Sequence, residues 1–133
     1  MEVMNATQCE AATVDKISFK GKDRAVTGTS IRWLSRIGDD GTGAPEYGLR
    51  YFTVEPGGEI PIHNHFYHQT MYILNGTFEC YSYDTDSEAV TESVVTESGD
   101  AVYVPGMESH GMKNVGDTTA AFLCCIANVY ENK

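Results

Sequence analysis

The sequence predicts a single all-β domain, a sandwich or a closed barrel, on three observations. Short runs rich in β-branched and aromatic residues recur along the chain. Turn chemistry built on glycine, proline, asparagine and aspartate separates them. No segment shows sustained helical periodicity with capping residues. At 133 residues the chain is one domain long and can bury a core without disulfide or metal staples.

The elements follow in order. KISFKG (16–21) and AVTGTSIRWLSRIG (25–38) read as strands in a less sharply patterned N-terminal third, and DDGTGAP (39–45) reads as a loop. Strand-like runs then cover residues 48–55, 59–65, 69–75, 76–84, 88–97, 101–104, 109–114 and 119–127. Between them lie PGG (56–58), NG (75–76), SGD (98–100), PG (105–106) and VGD (115–117). The Asn-Gly pair is the strongest hairpin signal, because both central residues of a type I′ turn need positive φ. No domain boundary, tandem repeat or low-complexity tract interrupts the pattern.

The formal net charge is −10, from 9 basic and 19 acidic residues. A nucleic-acid partner requires a cationic footprint that this chain lacks, and an anionic membrane surface is disfavoured for the same reason. No apolar run approaches membrane-spanning length. MEVMNATQCEAATVDK contains no basic segment ahead of an apolar one, so no signal peptide and a cytoplasmic location are expected. Of the 4 cysteines, Cys9, Cys80, Cys124 and Cys125, none forms a CxxC pair. Reduced thiols acting as small hydrophobes are expected. Cys124 and Cys125 should face opposite sides of one strand.

The chemistry concentrates in HNHFYHQ. Three of the four histidines, His63, His65 and His68, fall in these seven residues, and His110 follows in PGMESHGMKN. On a strand, His63 and His65 share a face and lie about 7 Å apart. Gln69 has their parity and His68 the opposite one. Two ligands on one strand, one at the start of the next and one from a distant strand can close on a single ion. Histidines can instead serve as hydrogen-bonded core residues. The short spacing and the second histidine segment favour a metal site of His63, His65, Gln69 and His110, with His68 as the alternative ligand if the turn is shifted.

These residues resemble the cupin superfamily. Its first motif is a glycine, five residues, His-x-His, three residues, a glutamate, six residues and a glycine. Gly57, His63, His65, Gln69 and Gly76 fall at those spacings, with Gln69 in the glutamate's place. Its second motif is a glycine, five residues, Pro-x-Gly-x-x-His, three residues and an asparagine. Gly99, Pro105, His110 and Asn114 match, with Met107 in place of the middle glycine. The resemblance implies a jelly-roll barrel (a double-stranded β-helix). Its core would span residues 48–133, with residues 1–47 supplying N-terminal strands and a loop that complete the barrel or a dimer. RYFTVEPGG, HGMKN and FLCCI are most similar to small manganese-binding monocupins, homodimers whose metal is held by four histidines. The resemblance therefore implies a homodimer. HQTMYILNGTFE is similar to a segment of cupins that linearise unsaturated uronates with three histidines and a glutamine. Those enzymes also use an aspartate and an arginine near the last strand, where this chain reads CCIANVYENK.

A glutamine carbonyl is a neutral ligand, so an ion on three imidazoles and an amide keeps its full double charge. Such a site favours an anionic or enolate-like ligand, and Gln69 cannot serve as a general base. Manganese, iron, nickel, copper and zinc all suit an imidazole-rich set. By alternation Met71, Ile73 and Met112 point inward, and the resemblance places Phe122 and Cys124 beside them. Arg50 and Phe52 share one face of their strand, but which face lies inside is open. The expected function is that of a metalloenzyme acting on a small organic molecule, by dioxygenase-like or by enolising, isomerase-type chemistry. The alternative is a non-catalytic binder of a small molecule or sugar on the same fold.

Overall fold

A computed structural model describes residues 3–35 and 46–127. The loop expected at 39–45 and the end of the CCIANVYENK stretch lie outside them. A short 3-10 turn, Ala6–Gln8, precedes ten strands. These are β1 (Ala12–Phe19), β2 (Lys22–Ser35), β3 (Tyr47–Val54), β4 (Glu59–His63), β5 (Gln69–Asn75), β6 (Phe78–Tyr83), β7 (Val90–Thr96), β8 (Ala101–Val104), β9 (Ser109–Asn114) and β10 (Ala120–Ala127). They form two antiparallel sheets, ordered β1-β2-β3-β10-β5-β8 and β4-β9-β6-β7. The all-β jelly roll expected from the sequence is the observed architecture. No helix among the described residues is long and apolar enough to cross a membrane.

Alternation builds the core between the sheets. Along β5, Gln69, Met71 and Ile73 are buried while Thr70 and Tyr72 are exposed. Along β10, Cys124 is buried and Cys125 exposed. Strand pairing converts these alternating positions into rows across the inner face. One row runs Ile31, Phe52, Phe122, Ile73 and the next runs Trp33, Arg50, Cys124, Met71. Phe122 stacks on Phe52 at 4.8 Å and meets Phe78 of the opposite sheet edge-on at 5.4 Å, which ties the two layers through one ring.

The Asn-Gly pair at 75–76 is not the expected type I′ hairpin. β5 pairs with β10 and β8, whereas β6 pairs with β7 and β9, so the chain changes sheets here. Gly76 alone has positive φ, 87°. A Cβ on Gly76 would sit 2.3 Å from the Ala120 Cβ, so close packing against β10 explains the glycine. The Asn75 amide donates to the Thr119 carbonyl at 3.0 Å, which spans the corner. A hairpin signal read from four residues cannot register that the flanking strands have other partners. A two-residue connection does occur at Lys20–Gly21, both at positive φ, between the paired Phe19 and Lys22.

Two residues of the second histidine segment show how the fold is held. Asn114, 1% exposed, donates through its amide to the Val54 and Thr118 carbonyls, both at 2.9 Å, and accepts from the Gly116 N–H at 2.9 Å. Its backbone exchanges hydrogen bonds with the β3–β4 turn through Gly57 and Gly58. Met107, where the motif has glycine, adopts φ 68°. The Glu108 N–H reaches the Pro105 carbonyl at 3.3 Å, closing a turn whose third residue needs positive φ. Gly106, the second residue of the turn, serves a different need: its missing side chain leaves room for the Phe66 carbonyl, 2.6 Å from where a Cβ would lie.

Asn114→Asp should cost at least about 2 kcal/mol, because two buried carbonyls lose their donors and face a carboxylate. Met107→Gly, at an exposed side chain, should stabilise by about 0.5–1 kcal/mol through relief of the left-handed strain. Urea unfolding of both variants beside the wild type checks these directions.

Candidate metal centre

The register of β4 against β9 sets His63 directly opposite His110. Their rings lie 4.2 Å apart between centroids. His65, just beyond the end of β4, brings a third ring to 5.1 Å from His110 and 5.7 Å from His63. One ring nitrogen from each of the three lies within 4.8 Å of the others.

The proton positions follow from hydrogen bonding. His63 Nδ1 meets the Pro61 carbonyl at 2.8 Å, His65 Nδ1 the Tyr67 carbonyl at 2.6 Å, and His110 Nδ1 the Glu108 carbonyl at 2.8 Å. A carbonyl only accepts, so each Nδ1 carries the proton and each Nε2 keeps its lone pair. Every partner is two residues away in sequence, so each ring is oriented by its own chain segment. Such carbonyl contacts are the usual outer support of metal-binding imidazoles.

Burial keeps the rings neutral. Desolvation holds His63 down at about 4 and His110 at about 3, and lowers His65 as well. The Arg50 charge adds to the lowering of all three. Three neutral imidazoles with converging lone pairs form a donor set that fits a divalent transition metal.

Gln69 enters from the opposite sheet at the start of β5, buried, with Nε2 3.4 Å from His110 Nε2. In this arrangement its amide N–H donates to the His110 lone pair, and its Oε1 is the atom that could face an ion. His68 is not part of the cluster; its ring lies 5.9 Å from that of Tyr103.

A cavity of about 150 Å³ opens onto the imidazoles. Met71, Met112, Phe122 and Cys124 line it, together with Arg50, Phe52 and Tyr67. Ile73, assigned to the lining by alternation, is fully buried in the core and is not among the lining residues, because it sits one row farther along β5 than Met71. Sequence reasoning left the faces of β3 open and so missed Arg50. The β3–β10 register supplies the answer, since Arg50 and Phe52 pair with Cys124 and Phe122. It also missed Tyr67, whose ring stacks on His65 at 3.9 Å, and the aliphatic cover from Val14, Ile17 and Ile31.

Groups whose folded-state proton affinity is depressed stabilise the fold above their unfolded value and lose that contribution as pH falls. For His63 and His110 the window runs from about 6.5 down to about 4 and about 3. The metal-free protein should therefore lose a few kcal/mol between neutral pH and pH 4. His110→Gln should flatten that slope. Thermal unfolding across the range tests this, and a profile equally steep in both proteins would show that other groups set it.

Comparison with known proteins agrees with the geometry. A protein-family model described as the Cupin domain matches residues 50–126. No curated protein matches the chain. Among solved structures, the polyketide cyclase RemF from Streptomyces resistomycificus superposes with a TM-score of 0.73 at 24% identity, covering 100% of this chain and 88% of that one. An RmlC-like cupin from Shewanella frigidimarina NCIMB 400 gives 0.68 at 17%, covering 98% and 94%. A predicted oxalate decarboxylase from Thermotoga maritima gives 0.68 at 19%, covering 95% and 98%. At these identities the likeness shows the fold alone. The family match takes in His63, His65, Gln69 and His110 and more than half of the sequence, and the chain belongs to the Cupin domain family.

Proposed function

We propose that this protein holds one divalent transition metal on His63, His65, His110 and Gln69 and acts as a metalloenzyme on a small organic molecule. The observation that supports this reading is the convergence of three unprotonated Nε2 atoms on one walled cavity. A bound manganese, iron, nickel, copper or zinc ion would supply Lewis-acid or redox chemistry at that point. The chain's own residues fix the rings through Nδ1, and the apolar walls of Phe52, Phe122, Met71 and Met112 exclude water. In this reading the chain is a cytoplasmic homodimer, in keeping with four free thiols and with the resemblance to dimeric monocupins.

One feature of the cavity restricts the chemistry. Among the described residues, no aspartate, glutamate or lysine lines it. Burial raises both the Tyr67 hydroxyl and the Cys124 thiol, so both keep their protons at neutral pH and act as donors. A reaction that needs a protein carboxylate as base finds none on these walls. That favours dioxygenase-like over uronate-type isomerase chemistry. It is also the observation that favours the second reading, a non-catalytic binder on the same site.

Elemental analysis of the purified protein tests the metal assignment. Close to one ion per chain is expected for the wild type, none for His110→Ala, and weakened retention for Gln69→Ala. Gln69→Glu adds a negative charge and should tighten the ion at least about tenfold. Wild-type protein that takes up no metal after reconstitution would overturn the metalloenzyme reading and leave the binder.

A further inference from the structure

Among the described residues, Arg50 is a cation without an anion. It projects from β3 into the cavity that holds the three imidazoles. Its guanidinium is packed against two rings, 5.1 Å from the Phe52 centroid and 5.6 Å from that of Trp33. One terminal N–H group donates to the Cys124 sulfur at 2.8 Å. Its Nε is buried and has no hydrogen-bond partner. Among the described residues no carboxylate lines the cavity, and the ion pairs involve Lys16, Lys20 and Arg24, not Arg50.

The chain carries 19 acidic residues, yet none of the described ones faces this guanidinium. A guanidinium offers five donors, and a neutral thiol is a weak acceptor. Leaving it half-buried and under-satisfied carries a cost that a structural role does not explain, since an apolar side chain would pack between Phe52 and Trp33 without that cost. On the proposed function, the same cavity also holds a doubly charged ion. Two cationic centres in one apolar space repel each other unless an anion lies between them.

We propose that Arg50 is the anion anchor of this cavity and that the small molecule bound there is an organic carboxylate. Its carboxylate pairs with the guanidinium, and its other end faces the three imidazoles. The planar fork of arginine matches a carboxylate. The aliphatic and aromatic walls from Val14, Ile17, Ile31 and Phe122 fit a carbon skeleton better than an inorganic anion. A volume near 150 Å³, the space of about five waters, limits the ligand to a small molecule.

This inference rests on the proposed site but separates from it experimentally. The chain has a single tryptophan, and Trp33 lies against Arg50, so its fluorescence reports binding at the guanidinium. Zinc-reconstituted wild type is titrated with lactate, succinate and benzoate, each beside its neutral amide. At least one acid should bind about tenfold or more tightly than its amide. Arg50→Met should lose that preference while keeping the wild-type zinc content. Arg50→Lys keeps the charge without the fork and should fall between the two, and it carries the test if Arg50→Met does not fold. Acids no better than their amides, or acids unaffected by both substitutions, would overturn the anchor. If the wild type takes up no zinc but still selects acids through Arg50, the anchor stands and the metal reading falls.

Discussion

The pairing of β9 with β4 is the constraint on which the rest of the molecule depends. It sets His63 opposite His110, and this single register decides whether the two rings meet. β9 then carries its burial in both directions from that point. Met112 follows His110 into the cavity wall, and Asn114 locks the β3–β4 turn with its side chain and its backbone. A slip of one residue would turn His110 and Asn114 to the other face together. The site and the corner that stabilises the barrel are therefore one structural commitment.

Charge is distributed to suit that commitment. Among the described residues no acid lines the cavity that holds Arg50; Glu88 is taken up by Lys20 and Arg24 and Glu79 is held by Tyr81 and Ser93. Inside are neutral imidazoles, protonated Tyr67 and Cys124, and one guanidinium with no counter-ion among the described residues. The protein is acidic as a whole, but this interior is electropositive. Net charge of −10 speaks to solubility, whereas the local sign speaks to the ligand. The two point in opposite directions, and the composition alone conveys only the first.

The sequence was legible wherever local chemistry decides. The strands at 69–75, 101–104 and 109–114 were read at the bounds observed, because alternation and flanking turn residues mark both ends. The His-x-His spacing placed His63 and His65 on one side without any knowledge of pairing, whereas His110 joins them only through the β4–β9 register. What the sequence concealed is non-local. β1 begins at Ala12, earlier than its patterned half suggests, because β2 supplies the pairing. The Asn-Gly corner joins strands of different sheets. Arg50 was paired with Phe52 on one face, but which face lies inside stayed open because the inner face of β3 is defined by β10, seventy-odd residues away along the chain. Met107 was noticed as a departure from the motif, and its φ shows that the backbone keeps the glycine conformation after the glycine is gone.

The glutamine of HNHFYHQ follows from the same accounting of protons. Each imidazole donates its Nδ1–H in a hydrogen bond to a backbone carbonyl, so three Nε2 acceptors face one another with no proton between them. A glutamate at position 69 would add a fourth acceptor and leave the metal-free site repulsive. A histidine there would bring at most one proton, and only in the tautomer that leaves it unable to coordinate through the same nitrogen. An amide carries both functions on one group. Its N–H satisfies His110 as observed, and a turn about its last torsion offers Oε1 to a cation at little conformational cost. Gln69 thus makes the three facing acceptors tolerable within a buried setting, and on the proposed function it would leave a bound ion fully charged. That retained charge increases the need for the anion that Arg50 is placed to hold.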